Sequence, residues 1–224
     1  MTIQQQFEPM VCQGEFGEFT INQSDRQGII IYRIGLFIST LSFITGSFLI
    51  LWQGATPFIL QIFLTPLLAV FSLGLAISLL TTRIYFIFLH RLLQIFWLIG
   101  TVSMTVLIWQ NPKPLALLIY DDSLALFATC FSFATLTGIY LKETFCYQQF
   151  ETISLTILVP ALFVGHVNDL FSLTMERGLL IVWTILSLIF IVRKVVQPLA
   201  PDIGDKSIFA YLEQKRLSKK VENN

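Results

Sequence analysis

Long apolar runs separated by short polar segments make up most of this chain. Six of these runs hold few charged residues and approach or exceed the ~20 residues that a helix needs to cross a bilayer. We therefore predict six membrane-spanning helices, at about residues 29–51, 57–80, 92–109, 123–141, 152–167 and 178–196. The predicted fold class is all-α, a polytopic transmembrane helix bundle.

Polar segments flank the predicted transmembrane domain of residues 29–196. Residues 1–28 contain several acids and lack the apolar core of a secretory signal, so we predict a short N-terminal segment of the protein itself. Within it, residues 18–21 alternate as a small strand or extended loop does, and Ser24 with Gln27 fits a capping box that begins helix 1. Two prolines end helix 6, and residues 197–224 form a basic tail.

The fifth apolar run is the least regular. It is short and contains Pro160, so it is either a kinked or tilted span or a partly re-entrant segment. A re-entrant segment would leave five spans and put the two ends of the chain on opposite faces. Residues 115–120 are apolar but too few to span, and whether they dip into the bilayer is left open.

Composition excludes most classes of soluble protein. Hydrophobic residues make up 55% of the 224 and charged residues only 12%, about half the share that soluble domains carry. A soluble enzyme, a nucleic-acid binder, a disulfide scaffold and a disordered regulator are all excluded. The three cysteines are far apart and form no metal-binding pair.

Basic residues predict the orientation of the six-span arrangement. The face that carries both ends of the chain holds 12 of the 14 lysines and arginines, and the other face holds only Lys113 and Arg177. Because cytoplasmic loops are enriched in basic residues, we predict that both termini are cytoplasmic.

No catalytic motif occurs in the chain, so we predict a protein that is not an enzyme, and the sequence assigns no cofactor. Polar groups do collect at the predicted non-cytoplasmic boundary, where Asp121, Asp122, His166 and Asp169 form a candidate polar site. Carboxylates and an imidazole near helix ends can bind a cation or relay protons. The alternative is a solvated acidic loop face.

On the cytoplasmic side, the candidate docking or lipid contacts are Glu15, Arg26, Arg33, Lys215 and Arg216. Arg33 lies about one turn inside helix 1, where it can pair with Glu143 or Glu151, bind a lipid phosphate, or extend its charged end to the interface. The basic tail can attract anionic lipid, bind an acidic partner, or serve only to fix the topology.

Several short motifs are distributed along the chain: Gln13–Phe19, Asp25-Arg26, Tyr32-Arg33-x-Gly35, Tyr140–Cys146, Pro160–His166 and Gln197–Ser207. Together they resemble a cyanobacterial family of uncharacterised integral membrane proteins with a domain of unknown function, with relatives expected in plastids. The resemblance covers nearly the whole chain. It implies a thylakoid or plasma membrane of a photosynthetic prokaryote, and it implies no activity.

Two functions of different classes follow as expectations. The first is a non-enzymatic accessory or assembly factor for a membrane complex, possessing a polar N-terminal segment and a basic tail for docking. Its partners would be membrane lipids and subunits of that complex, not nucleic acid. The second is a small ion or solute transporter or channel that uses the acidic site at the non-cytoplasmic boundary; a membrane enzyme acting on lipid has weaker support.

The charge asymmetry gives a direct test of topology. A reporter fused after Asn224 and a reporter placed before Met10 should both read as cytoplasmic, because both ends lie on the face that carries most of the basic residues. Reporter activity of both fusions in the native membrane measures this. Ends found on opposite faces would contradict the six-span arrangement.

Overall fold

A computed structural model describes residues 10–14, 16–53, 60–81, 87–113, 115, 118–119, 122–198, 202 and 207. The chain divides into two compact units. The terminal unit combines Met1–Ile31 with Gln197–Asn224, and the bundle unit is Tyr32–Val196.

The terminal unit contains an antiparallel hairpin. Strand β1 is Met10–Gly14 and strand β2 is Gly17–Ile21, with Gly14 opposite Gly17 at the turn. Gly17 has a φ of 137°, a conformation that side chains disfavour, which explains a glycine there. β2 includes the predicted alternating stretch. The backbone amide of Phe16 donates to the hydroxyl of Ser207 at 3.0 Å, and this bond joins the two ends of the chain within the unit.

Helix α1 begins at Gln23, one residue before the predicted cap. The backbone amide of Asn22 donates to the Asp25 carboxylate at 3.0 Å, as the third residue of a capping box requires. The prediction that Ser24 caps the helix is therefore wrong. An acid at the third position can bind the capping amide more strongly than Gln27 can, because its oxygen carries a charge.

The remaining helices follow in the predicted order. They are α1 (Gln23–Gln53), α2 (Thr65–Thr81), α3 (Ile87–Gln110), α4 (Ser123–Tyr147), α5 (Phe150–Val167) and α6 (Leu173–Val196), and one π-helical turn at Leu60–Leu64 leads into α2. Within the described residues, six helices are long and apolar enough to cross a membrane, which confirms the predicted fold class. α5 is continuous through Pro160.

Several helices extend past their apolar runs. α4 continues to Tyr147 rather than ending at residue 141, α3 begins at Ile87 rather than residue 92, and α6 begins at Leu173 rather than residue 178. Hydropathy locates the part of a helix that lipid surrounds, whereas backbone hydrogen bonds continue into the polar residues beyond it. The added turns of α4 carry Lys142 and Glu143.

Helix α4 lies at the centre of the bundle, where it packs against α2, α3 and α5, and α5 packs against α6. One core cluster takes buried side chains from α1, α2, α4, α5 and α6: Tyr32, Leu36, Phe71, Leu75, Leu136, Ile139, Tyr140, Leu155, Val159, Trp183, Phe190 and Ile191. Large apolar side chains such as Leu73, Ile157 and Val192 are exposed on the outside, where lipid covers them in a membrane.

Glycines bring α1 and α2 into close contact. A Cβ atom at Gly35 would lie 2.7 Å from both the Gly74 carbonyl oxygen and the Ser78 amide nitrogen. A Cβ at Gly74 would lie equally close to the Gly35 carbonyl and the Ser39 amide. These small residues four positions apart are used for packing within the chain, as such residues commonly are in membrane helices.

Substitution of Gly35 tests this contact. Gly35→Ala should lower the free energy of unfolding by about 1–3 kcal/mol, because backbone atoms of α2 must move to admit the methyl group. Gly178→Ala is the matched control: nothing lies within 4 Å of its Cβ position in α6, so alanine should be neutral or stabilise by about 0.5–1 kcal/mol. Unfolding in mild detergent measures both, and equal effects would contradict the packing argument.

Candidate functional site

A buried carboxylate lies at the end of the bundle where α1 and α5 begin and where α4 and α6 end, which we term the charged end. Glu143, in the last turns of α4, is 1% exposed. The Tyr32 hydroxyl of α1 donates to its Oε1 at 2.7 Å, and the Lys194 ammonium of α6 donates to its Oε2 at 2.6 Å. One carboxylate therefore joins three helices.

Two lysines and two tyrosines complete what we call the Glu143 cluster: Tyr32, Lys142, Glu143, Tyr147 and Lys194. Lys142 Nζ lies 3.1 Å from Glu143 Oε1 and 4.6 Å from the centre of the Tyr32 ring. Lys194 Nζ lies 4.8 Å from the centre of the Tyr147 ring. An aromatic face attracts a cation most strongly where water is excluded, so both rings help to hold buried ammonium groups.

A second ion pair ties the same end of α6 to α5. Glu151, in the first turn of α5, is buried, and it accepts a hydrogen bond from the half-exposed Arg193. The neighbouring residues Arg193 and Lys194 thus bind acids on two different helices. Since an isolated charge at membrane depth is costly, these pairings allow polar side chains to occur here at all.

This arrangement differs from the sequence prediction for Arg33. Pairing with Glu143 or Glu151 was one of three alternatives for Arg33, and the cations that the structure describes on these two carboxylates are Lys142, Lys194 and Arg193. The reason is geometric: the last turn of α6 presents Arg193 to Glu151 of α5 and Lys194 to Glu143 of α4.

The candidate polar site lies at the opposite end of the bundle, and the structure gives its described members local roles. Asp122 is the N-cap of α4, where its carboxylate accepts from the Leu124 amide at 3.0 Å. His166 Nδ1 lies 2.7 Å from Glu176 Oε1, which links the end of α5 to the start of α6. Asp169 lies in the loop between them with a φ of 51°.

Helices α4 and α5 are neighbours, as the short connection predicted. Asp122, His166 and Asp169 are exposed, and Asp121 lies outside the described residues. Across the part of the chain that the structure describes, no three His, Cys, Asp or Glu side chains are grouped as a metal ion requires. Whether these residues act together in function stays a prediction.

Of the candidate docking or lipid contacts, two are described. Arg26 is half-buried in the first turns of α1 in the terminal unit, and Arg33 belongs to the bundle unit. Glu15, Lys215 and Arg216 lie outside the described residues. The same holds for most of the basic tail.

Two apolar cavities lie among the helices. One, of about 200 Å³, is bounded by α1, α2, α4 and α6 and has the Ser42 and Ser47 hydroxyls among apolar walls. The other, of about 320 Å³, lies among α3, α4 and α5, with Cys130 and Thr137 in its lining. The described residues that line these two cavities include no acid, base or histidine.

Sequence reasoning placed Lys142, Glu143 and Lys194 on one face of the membrane without assembling them. The available signal was topological: Tyr32 lies near the start of the first apolar run, Lys142 and Glu143 directly follow the fourth, and Lys194 lies near the end of the sixth. The rotation of each helix about its axis decides whether such residues meet, and the hydrophobic pattern of a nearly uniform apolar helix carries little information about rotation.

The buried pair gives a stability prediction. Glu143→Gln and Lys194→Met should each lower the free energy of unfolding by about 3–5 kcal/mol, because each leaves a buried charge without its partner. The double variant should lose less than the sum of the two. Unfolding in mild detergent measures the four proteins of this cycle.

An exposed pair serves as the control. His166→Ala removes the partly exposed contact with Glu176 and should cost below about 1 kcal/mol. Strictly additive losses for the Glu143 and Lys194 variants, or losses no larger than that of His166→Ala, would contradict the role assigned to the cluster.

Comparison with known families gives one match. The family described as "Uncharacterized integral membrane protein (DUF2301)" matches residues 77–211, more than half of the chain. Comparison with curated proteins and with solved structures finds no match. The match covers α3 to α6, including the acids and the α6 cations of the charged end. This chain belongs to the DUF2301 family of integral membrane proteins.

Proposed function

We propose that the protein is a non-enzymatic accessory or assembly factor, anchored in the membrane by its helix bundle and docked to a membrane complex through its terminal unit. The observation that carries this proposal is the hydrogen bond from the Phe16 amide to the Ser207 hydroxyl. It joins positions 191 residues apart within one compact unit, which also includes the first residues of α1.

The use of charge within the bundle supports this proposal. Glu143 and Glu151 bind cations from α6, and Asp122 caps α4, so these groups already serve the fold. The cavities are lined by apolar walls and a few hydroxyls. A bundle that uses its charges for cohesion fits an anchor, and recognition of a partner then falls to the terminal unit.

The hairpin offers a surface that a partner can recognise. Val11 is 60% exposed on β1, and Phe16 at the turn is 45% exposed. Two large apolar side chains within six residues of a water-facing segment are typical of protein contact sites. The basic tail adds a positive charge that suits an acidic partner or the headgroups of membrane lipids.

The location follows from two sequence arguments. The 12 basic residues on the face of the two termini favour a cytoplasmic terminal unit. The resemblance to cyanobacterial proteins favours a thylakoid or plasma membrane, and hence a complex of the photosynthetic membrane as the partner.

A substitution in the hairpin tests the docking role. Val11→Asp places a charge on the exposed apolar surface and should reduce the co-purified partner by about tenfold, the equivalent of 1.4 kcal/mol. Leu170→Asp is the matched control, since Leu170 is similarly exposed but lies in the connection between α5 and α6. Affinity purification of tagged protein in gentle detergent, normalised to its membrane level, measures both.

The transporter expectation predicts a different pattern. Under it, Asp122→Asn and His166→Ala abolish complementation of a deletion strain while the protein still accumulates. Asparagine caps a helix as well as aspartate does, so Asp122→Asn separates function from stability. Loss of function in these two variants, with normal function of Val11→Asp, would contradict the docking proposal; the reverse pattern supports it.

A further inference from the structure

Lys142 is the most exposed charged member of the Glu143 cluster. Its side chain is 11% exposed, whereas those of Glu143 and Lys194 are 1% and 2% exposed. Among the charged groups of the cluster, the Lys142 ammonium is therefore the one that is accessible from outside, and we call this point the opening of the cluster. Lys142 lies three residues before the end of the candidate span Ser123–Phe145, and the end of a helix that spans a bilayer approaches the lipid headgroups.

Lys142 is also the least firmly bound donor of the cluster. It shares Glu143 Oε1 with the Tyr32 hydroxyl, at 3.1 Å against 2.7 Å, and the other carboxylate oxygen binds Lys194 at 2.6 Å. An ammonium group has three N–H donors, and Glu143 takes one of those of Lys142. Among the described residues Glu143 is the one hydrogen-bond acceptor of Lys142, and the Tyr32 ring lies 4.6 Å away, which leaves donor capacity for an anion.

The charge of the whole bundle end favours an anion at this opening. Among the described bundle residues, the charged end holds five cations and two acids: Arg33, Arg91, Lys142, Arg193 and Lys194 against Glu143 and Glu151. The opposite end holds more acids than bases: Asp122, Asp169 and Glu176 against Lys113 and Arg177. An anion near the membrane surface is therefore attracted to the end that contains Lys142.

We propose that Lys142 binds the phosphate group of an anionic phospholipid at the charged end of the bundle. A phosphodiester presents several acceptor oxygens at headgroup depth, which matches an ammonium group with unused donors at the end of a span. Glu143 and the Tyr32 ring position the ammonium from beneath. This site belongs to the bundle unit, and its test does not depend on the docking proposal.

Binding is measured on the full-length protein in phosphatidylcholine nanodiscs to which phosphatidylglycerol is added. Native mass spectrometry counts retained phosphatidylglycerol, and titration gives its dissociation constant. We expect wild type to retain one phosphatidylglycerol, and Lys142→Gln to bind it about fivefold more weakly, the loss of roughly 1 kcal/mol per basic residue at the membrane surface. Lys142→Arg keeps the charge and should bind as wild type does.

Two controls define the outcomes that would overturn the site. Arg91→Gln removes an exposed cation of α3 at the charged end of the bundle and should leave the binding of phosphatidylglycerol unchanged. An effect equal to that of Lys142→Gln would show that the lipid is attracted by the overall charge and not by a site. Inorganic phosphate, titrated into nanodiscs of phosphatidylcholine alone, should bind much more weakly than phosphatidylglycerol does. Binding of equal affinity would overturn the lipid assignment. Wild type with no preference for phosphatidylglycerol over phosphatidylcholine would overturn the proposal without any variant.

Discussion

The contact between Glu143 and Lys194 is the interaction on which the arrangement of the helices depends. A carboxylate and an ammonium that are both almost fully buried can be accommodated only if each reaches the other, and here they are 2.6 Å apart. Their helices, α4 and α6, are separated in sequence by α5, which packs against both of them. The Tyr32 hydroxyl adds α1 to the same carboxylate.

The close packing of α1 against α2 helps to hold Tyr32, the third partner in this contact, in place. Gly35 and Gly74 let the two backbones approach, and the Ser78 hydroxyl donates to the Tyr32 carbonyl oxygen at 3.2 Å. Tyr32 is therefore held through its backbone by α2 while its hydroxyl binds Glu143. A bulkier residue at either glycine would act on the carboxylate indirectly, since it would shift the helix that carries the tyrosine.

Much of the fold could be predicted from sequence because the bilayer sets the length of a span, and six apolar runs met that length. What failed were features set by local chemistry or by helix rotation. The cap of α1 depends on Asn22 and Asp25 rather than on Ser24. The cation for Glu143 is Lys194, 51 residues away, because the rotation of α6 presents it, and hydropathy does not encode that rotation. The Glu143 cluster was therefore not predicted as a site; only the membrane face of its charged residues was.

The two ends of the bundle differ in how firmly they are held, and this difference bears on function. At the opposite end, His166 and Glu176 form a partly exposed pair of the kind that contributes little. At the charged end, separation of α4 from α6 would break the pair of Glu143 and Lys194, which are both almost fully buried. A carrier that exposes a site alternately to both faces must open both ends readily. A bundle closed firmly at one end is better suited to hold an anchored factor in place, and a phospholipid bound at Lys142 would strengthen that closure further.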